Sequence, residues 1–109
     1  MSRAPLTSIP AIPVEEVSDL ADALLLDVRE PFEFAAGHAP GAVNVPLGQL
    51  AATAVDGNHR VAVICRSGNR SAMAVGHLRQ RGIDAVNVTG GMAAWVAAGL
   101  PVEQPASIG

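Results

Sequence analysis

Short, mostly apolar runs with no in-and-out alternation set the strongest limit on how this chain folds. Leu24-Leu25-Leu26-Asp27-Val28 and Val61-Ala62-Val63-Ile64-Cys65 are each the length of a strand. Their apolar side chains point to both faces, so each must be covered from both sides. Between such runs lie segments with helical spacing, opened by Pro and closed by Gly. Strand and helix alternate through short links, which is the pattern of an α/β domain around a mostly parallel sheet with helices on both faces.

The same reading places about five strands. Residues 7–12 form a short edge strand, because Pro10 excludes a central one. Pro13-Val14-Glu15-Glu16-Val17 opens a helix, with Pro and acids in its first turn. The 24–28 run is followed by a brief helix, Pro31-Phe32-Glu33-Phe34-Ala35-Ala36, that Gly37 ends. Ala42-Val43-Asn44-Val45 is a short strand stopped by Pro46. Residues 47–55 carry Leu47, Leu50, Ala51 and Ala54 at helical spacing. Residues 56–59 form a turn. Residues 61–65 make the strongest strand, and residues 71–80 a helix ended by Gly82. Ala85-Val86-Asn87-Val88 is the last strand, and residues 92–98 the last helix. Residues 102–109 read as a loose tail.

Composition narrows the function classes. With 109 residues the chain supports one domain spanning 1–109, with its core at about 12–102. The seven basic residues are all Arg, so lysine Schiff-base chemistry is excluded. A net charge of -3 and 3% aromatic residues argue against nucleic-acid or anionic-membrane partners. A single cysteine, Cys65, excludes an intramolecular disulfide and any metal site with two Cys ligands; no metal or cofactor is expected. The first ten residues lack a signal peptide's apolar run, and no stretch approaches the ~18 apolar residues of a membrane span. The expected location is the cytoplasm, as a monomer or dimer.

The segment Cys65-Arg66-Ser67-Gly68-Asn69-Arg70-Ser71 is where chemistry concentrates. In an open α/β sheet, ligands bind beyond the carboxyl ends of strands and beside helix N-termini. Cys65 ends the strongest strand, and the helix starting near Asn69–Ser71 turns its unpaired N–H groups toward the loop. Such donors favour an anion, whether a bound oxyanion or the cysteine's own thiolate. Arg66 and Arg70 add positive charge, and Gly68 lets the backbone turn tightly. A lone Cys at a strand end is by itself an inert small hydrophobe. Strand, Cys, Gly turn, Arg and helix start together instead describe an anion-cradled nucleophilic thiol. The residues do not name its electrophile.

Beyond this point the chain resembles the single-domain rhodaneses, thiosulfate-type sulfurtransferases with a three-layer α/β fold. The resemblance is carried by Leu26-Asp27-Val28-Arg29-Glu30-Pro31-Phe32-Glu33-Phe34 and by Gly37-His38-Ala39-Pro40-Gly41-Ala42-Val43-Asn44-Val45-Pro46. It continues through the Cys65–Ser71 loop and Thr89-Gly90-Gly91-Met92, on to Trp95 and Gly99-Leu100-Pro101. It implies that Cys65 takes a sulfane sulfur from a donor, holds it as a persulfide, and passes it to an acceptor. The donor would be a small anion such as thiosulfate, attracted by Arg66 and Arg70, whose forks suit a sulfonate-like group. With no second Cys, the sulfur must leave to cyanide, a low-molecular-weight thiol or a protein. Related phosphatases and arsenate reductases use a loop one residue longer between Cys and Arg. Four residues separate Cys65 from Arg70 here, which favours sulfur over phosphoryl chemistry. A non-catalytic binding or regulatory module is the other alternative, and the intact Cys65 counts against it.

Supporting roles are assigned around the loop. Asp27 and Arg29 close a buried strand, where charges need partners, so a structural ion pair is expected. Glu33 is either part of the same polar network or a solvated helix residue. The resemblance gives His38 a turn-fixing role; His59 and His77 are ordinary surface or partly covered residues. Gly90-Gly91 is expected to shape a turn beside the Cys65 loop, Trp95 to belong to the core, and Phe32 and Phe34 to form the pocket rim.

Overall fold

A computed structural model describes residues 9–20 and 22–104. Five strands form one sheet in the order β1-β5-β4-β2-β3. They are β1 (Ala11–Pro13), β2 (Leu24–Asp27), β3 (Val43–Asn44), β4 (Val61–Ile64) and β5 (Ala85–Thr89). Every pairing is parallel. The helices are α1 (Pro31–Ala36), α2 (Asn69–Gln80) and α3 (Gly91–Ala97), with 3-10 helices at Val14–Asp19 and Leu47–Ala52.

The central strand β4 explains the unalternating run. All four of its residues are fully buried, and the strand's period of two divides them between two cores. Val61, Val63 and then Cys65 pack with Leu26, Leu50, Ala74, Val75 and Leu78 under α2 and the second 3-10 helix. Ala62 and Ile64 pack with Val14, Leu25, Val88, Met92 and Trp95 under α3 and the first 3-10 helix. Continuing the strand direction therefore puts Cys65 at the carboxyl end of the sheet, on the α2 side.

Four expectations change. The edge strand read over 7–12 is shifted to Ala11–Pro13; Ile9 and Pro10 precede it, and Pro10, with no N–H to give, takes part only through its carbonyl, which accepts from Asn87 N–H at 2.8 Å. The helical spacing over 47–55 is realised as a six-residue 3-10 helix that ends at Ala52. Its ends close with i→i+3 bonds, Gln49 N–H to Pro46 O at 2.8 Å and Thr53 N–H to Leu50 O at 3.1 Å. The start at Pro13 also gives a 3-10 helix rather than an α-helix. The tail is anchored as far as residue 104. His38 and Glu103 exchange backbone hydrogen bonds of 2.9 and 2.8 Å, and Gln104 Nε2 donates to Ala36 O at 3.0 Å. Those backbone groups after α1 would otherwise lack partners. Residues 105–109, and residues 7 and 8 of the expected edge strand, lie outside the described residues.

Candidate active site

Cys65 is 1% exposed and sits where β4 gives way to a tight loop. Gly68 makes that loop possible: its φ of +107° lies in the left-handed region, and it caps the N-terminus of α2. The turn brings Gly68 N–H to 3.1 Å from Cys65 Sγ, and the first turn of α2 brings Ser71 Oγ to 3.2 Å. Burial pushes the Cys65 thiol up. The Ser71 hydroxyl and the backbone N–H groups of Ser71, Gly68 and Ser67 outweigh it, leaving the thiol below its ordinary value.

The loop is gripped from behind by the start of α3. Met92 N–H donates to Cys65 O at 2.7 Å and Ala93 N–H to Arg66 O at 2.9 Å. With the Arg66 carbonyl engaged there, the Ser67 N–H of the same peptide is on the side of the sulfur. Gly91 permits the approach: its φ is +55°, and a Cβ there would collide with Cys65 O and lie 2.7 Å from the Arg66 backbone. The Gly90-Gly91 turn thus lies against the Cys65 loop, as its sequence position indicated.

Around this centre the ionic groups are mostly paired. Asp27 and Arg29 form a buried fork, with Nε to Oδ1 at 3.0 Å and Nη2 to Oδ2 at 2.8 Å. Arg29 Nη2 also reaches Gly37 O at 2.8 Å, tying the end of β2 to the end of α1. Glu33 does not join that pair directly. It binds Arg70 through two bonds of 2.7 and 3.0 Å, so α1 is clamped to the first turn of α2. The Arg70 hydrogen bonds hold the Glu33 carboxyl at about 2, against the opposing effect of burial. Arg70 is therefore occupied by a carboxylate, and Arg66 is the loop cation with no ion-pair partner among the described residues.

A shallow pocket of about 600 Å³ opens beside the loop, lined by residues that include Arg29, Phe32, Glu33, Arg66 and Met92. Phe32 is 74% exposed and forms its rim. Phe34 does not line it; its ring stacks on His38 with centroids 3.8 Å apart. His38 Nδ1 bonds Phe34 O at 2.8 Å, which places His38 in the turn after α1 and away from the sulfur's hydrogen bonds. Ser67 is an exposed loop residue, and Asn69 is the exposed first residue of α2. His59 faces Asp56 in its turn, His77 is half-buried on α2, and Trp95 is a core residue whose Nε1 donates to Pro101 O. Among the described residues no three His, Cys, Asp or Glu side chains are placed to share a metal ion. No helix among them is long and apolar enough to cross a membrane.

Two asparagines at the site escaped the sequence reading. Asn44 Nδ2 donates to the carbonyls of Asp27 and Arg29 at 3.0 and 2.9 Å, supporting the end of β2. Asn87, on β5, accepts from Ser71 Oγ at 2.5 Å and donates to Gly68 O at 3.2 Å. The signal for both was an amide inside a short strand of otherwise apolar residues, where a buried polar group must have a specific partner.

Comparison with known proteins shows the family to which the chain belongs. A family model described as the rhodanese-like domain matches residues 13–98. The chain is 36% identical over 94 residues to a protein named sulfurtransferase from Allochromatium vinosum, covering 84% of this chain and 88% of that one. It is 36% identical over 99 residues to thiosulfate sulfurtransferase 16, chloroplastic, from Arabidopsis thaliana, covering 77% of this chain and 82% of the relative. The crystal structure of a rhodanese-related protein from Thermoplasma volcanium superposes with a TM-score of 0.83 at 35% identity. It covers 88% of this chain and 99% of its own.

Proposed function

Because the chain belongs to the rhodanese-like domain family, we propose that it is a sulfurtransferase in which Cys65 carries the sulfur. The observation that supports this reading most is the setting of Cys65 Sγ. It receives Gly68 N–H at 3.1 Å, lies 3.2 Å from Ser71 Oγ, and has its thiol lowered by these and neighbouring donors despite burial. Donors in this arrangement stabilise the thiolate relative to the thiol, and the thiolate is the nucleophilic form.

The reaction runs in two halves. The Cys65 thiolate attacks the outer sulfur of a donor such as thiosulfate; the new S–S bond forms as the donor's S–S bond breaks, and sulfite leaves with that electron pair. An acceptor then attacks the outer sulfur of the persulfide, and the electron pair returns to Cys65. Arg66 attracts the anionic donor to the mouth, while Arg70 positions α2 and the loop through Glu33. The four-residue spacing from Cys65 to Arg70 makes a small ring of N–H groups, suited to a sulfur atom more than to a phosphoryl group. The only cysteine leaves cyanide, a low-molecular-weight thiol or a protein as the acceptor. A thiol that must stay reduced suits a cytoplasmic setting.

The test is formation of thiocyanate from thiosulfate and cyanide. Wild type is expected to turn over, and Cys65→Ser to lose the activity. Hydrolysis of an aryl phosphate abolished by Cys65→Ser, with no thiocyanate formed by wild type, would replace this reading with a phosphatase.

A further inference from the structure

Asn87 closes a ring of hydrogen bonds around the sulfur. The ring runs from Cys65 Sγ to Ser71 Oγ, on to the Asn87 amide, then to Gly68 O, and from Gly68 N–H back to Sγ. The orientation of the amide is determined by its neighbours. Gly68 O only accepts, so Asn87 Nδ2 faces it at 3.2 Å and Oδ1 is turned to Ser71 Oγ at 2.5 Å. The Ser71 hydroxyl has one hydrogen and two acceptors within reach, Asn87 Oδ1 and Cys65 Sγ, and serves one at a time.

We infer that Asn87 is a positioning residue: it holds the Ser71 hydroxyl hydrogen while Cys65 Sγ carries a covalent partner, and yields it when Sγ becomes a thiolate. The inference rests on the persulfide reading above. In the resting thiol, S–H donates to Ser71 Oγ and Ser71 donates to Asn87. In the persulfide, Sγ is bonded to the outer sulfur, and the hydroxyl again faces Asn87. When cyanide attacks, its carbon lone pair forms the C–S bond and the S–S bond breaks. Its electron pair stays on Sγ as thiocyanate departs, and no proton or oxidant is consumed. The hydroxyl then turns from Asn87 to stabilise the leaving thiolate.

Removing the competing acceptor leaves the hydroxyl free to face sulfur. The charged groups around Cys65 are untouched by this change. Arg70 of α2 stays paired with Glu33 of α1, Asp27 of β2 stays locked to Arg29, and Arg66 remains in the loop. β5 and α3 carry no titratable side chain.

The test is the pH dependence of Cys65 alkylation by iodoacetamide, read by intact mass. In Asn87→Ala the midpoint is expected to fall by about half to one pH unit, so that alkylation below the midpoint speeds up about three- to tenfold. In a Ser71→Ala background, the same Asn87→Ala change is expected to leave the midpoint unmoved. Should Asn87→Ala fail to fold by circular dichroism, Asn87→Ser, too short to reach both partners, takes its place with the same two expectations. An equal shift in both backgrounds would mean that Asn87 acts through the loop backbone alone, and it overturns the inference. No shift, or an upward one, overturns it as well. Alkylation needs no sulfur donor, so a wild type that forms no thiocyanate would refute the proposed function while this comparison still decides the Asn87–Ser71 link.

Discussion

Replacing Glu33 by Gln tests the clamp that joins α1 to the helix behind the cysteine loop. Glu33 meets Arg70 through bonds of 2.7 and 3.0 Å, and its carboxyl is lowered from 4.5 to about 2 in the folded protein. A difference of that size corresponds to about 3 kcal/mol of folding free energy. Arg70 is 34% exposed, and solvent screening reduces the contribution to about 1–2 kcal/mol. The sign follows from the lowered folded value: the stabilisation is complete above 4.5 and is lost as pH falls from there toward 2. Urea unfolding of wild type and Glu33→Gln across this range gives the comparison. Near pH 7 the variant is expected to be less stable by about 1–2 kcal/mol, and the gap to narrow steadily in acid as wild type protonates. A gap that is absent at neutral pH, or that stays constant down to pH 3, would refute the ion pair as the source.

Other perturbations act on the loop itself. Gly91→Ala forces a Cβ into the Cys65 and Arg66 backbone at a φ of +55° and is expected to cost about 3 kcal/mol or more, measured as a lower urea midpoint. Ser71→Ala removes a donor to the thiolate and is expected to raise the alkylation midpoint of Cys65 by about one pH unit, with a matching loss of reactivity at neutral pH. Arg66→Gln removes the loop cation that has no ion-pair partner among the described residues. The KM for thiosulfate is expected to rise about five- to tenfold with kcat nearly unchanged, and the rate to lose most of its salt dependence.

The apolar runs and the helix spacings revealed the sheet because burial on both faces leaves a direct mark on composition: Val61 to Ile64 are invisible to solvent and uniformly apolar. The Cys65 loop was legible for a similar reason, since a Gly turn and a helix start have strong local residue preferences. What escaped depends on long-range partners. Glu33 and Arg70 are 37 residues apart, and nothing near either names the other. Asn87 is read locally as one polar residue in a strand; only the parallel pairing of β5 beside β4 brings it under Ser71 and Gly68. The tail looked loose because its anchor is backbone pairing with His38 and one Gln104 amide bond to a backbone carbonyl, neither of which leaves an apolar pattern in the sequence. The 3-10 helix at Leu47–Ala52 shows a further limit: residues at helical spacing mark the buried side of a turn but do not decide how tightly it winds.

The central claim is that Cys65 carries sulfur covalently, and intact mass spectrometry after incubation with thiosulfate measures it most directly. Wild type is expected to gain the mass of one sulfur atom and to lose it on adding cyanide, with thiocyanate released in equal amount. Cys65→Ala is expected to gain nothing. No gain in wild type, or an equal gain in Cys65→Ala, would contradict the claim.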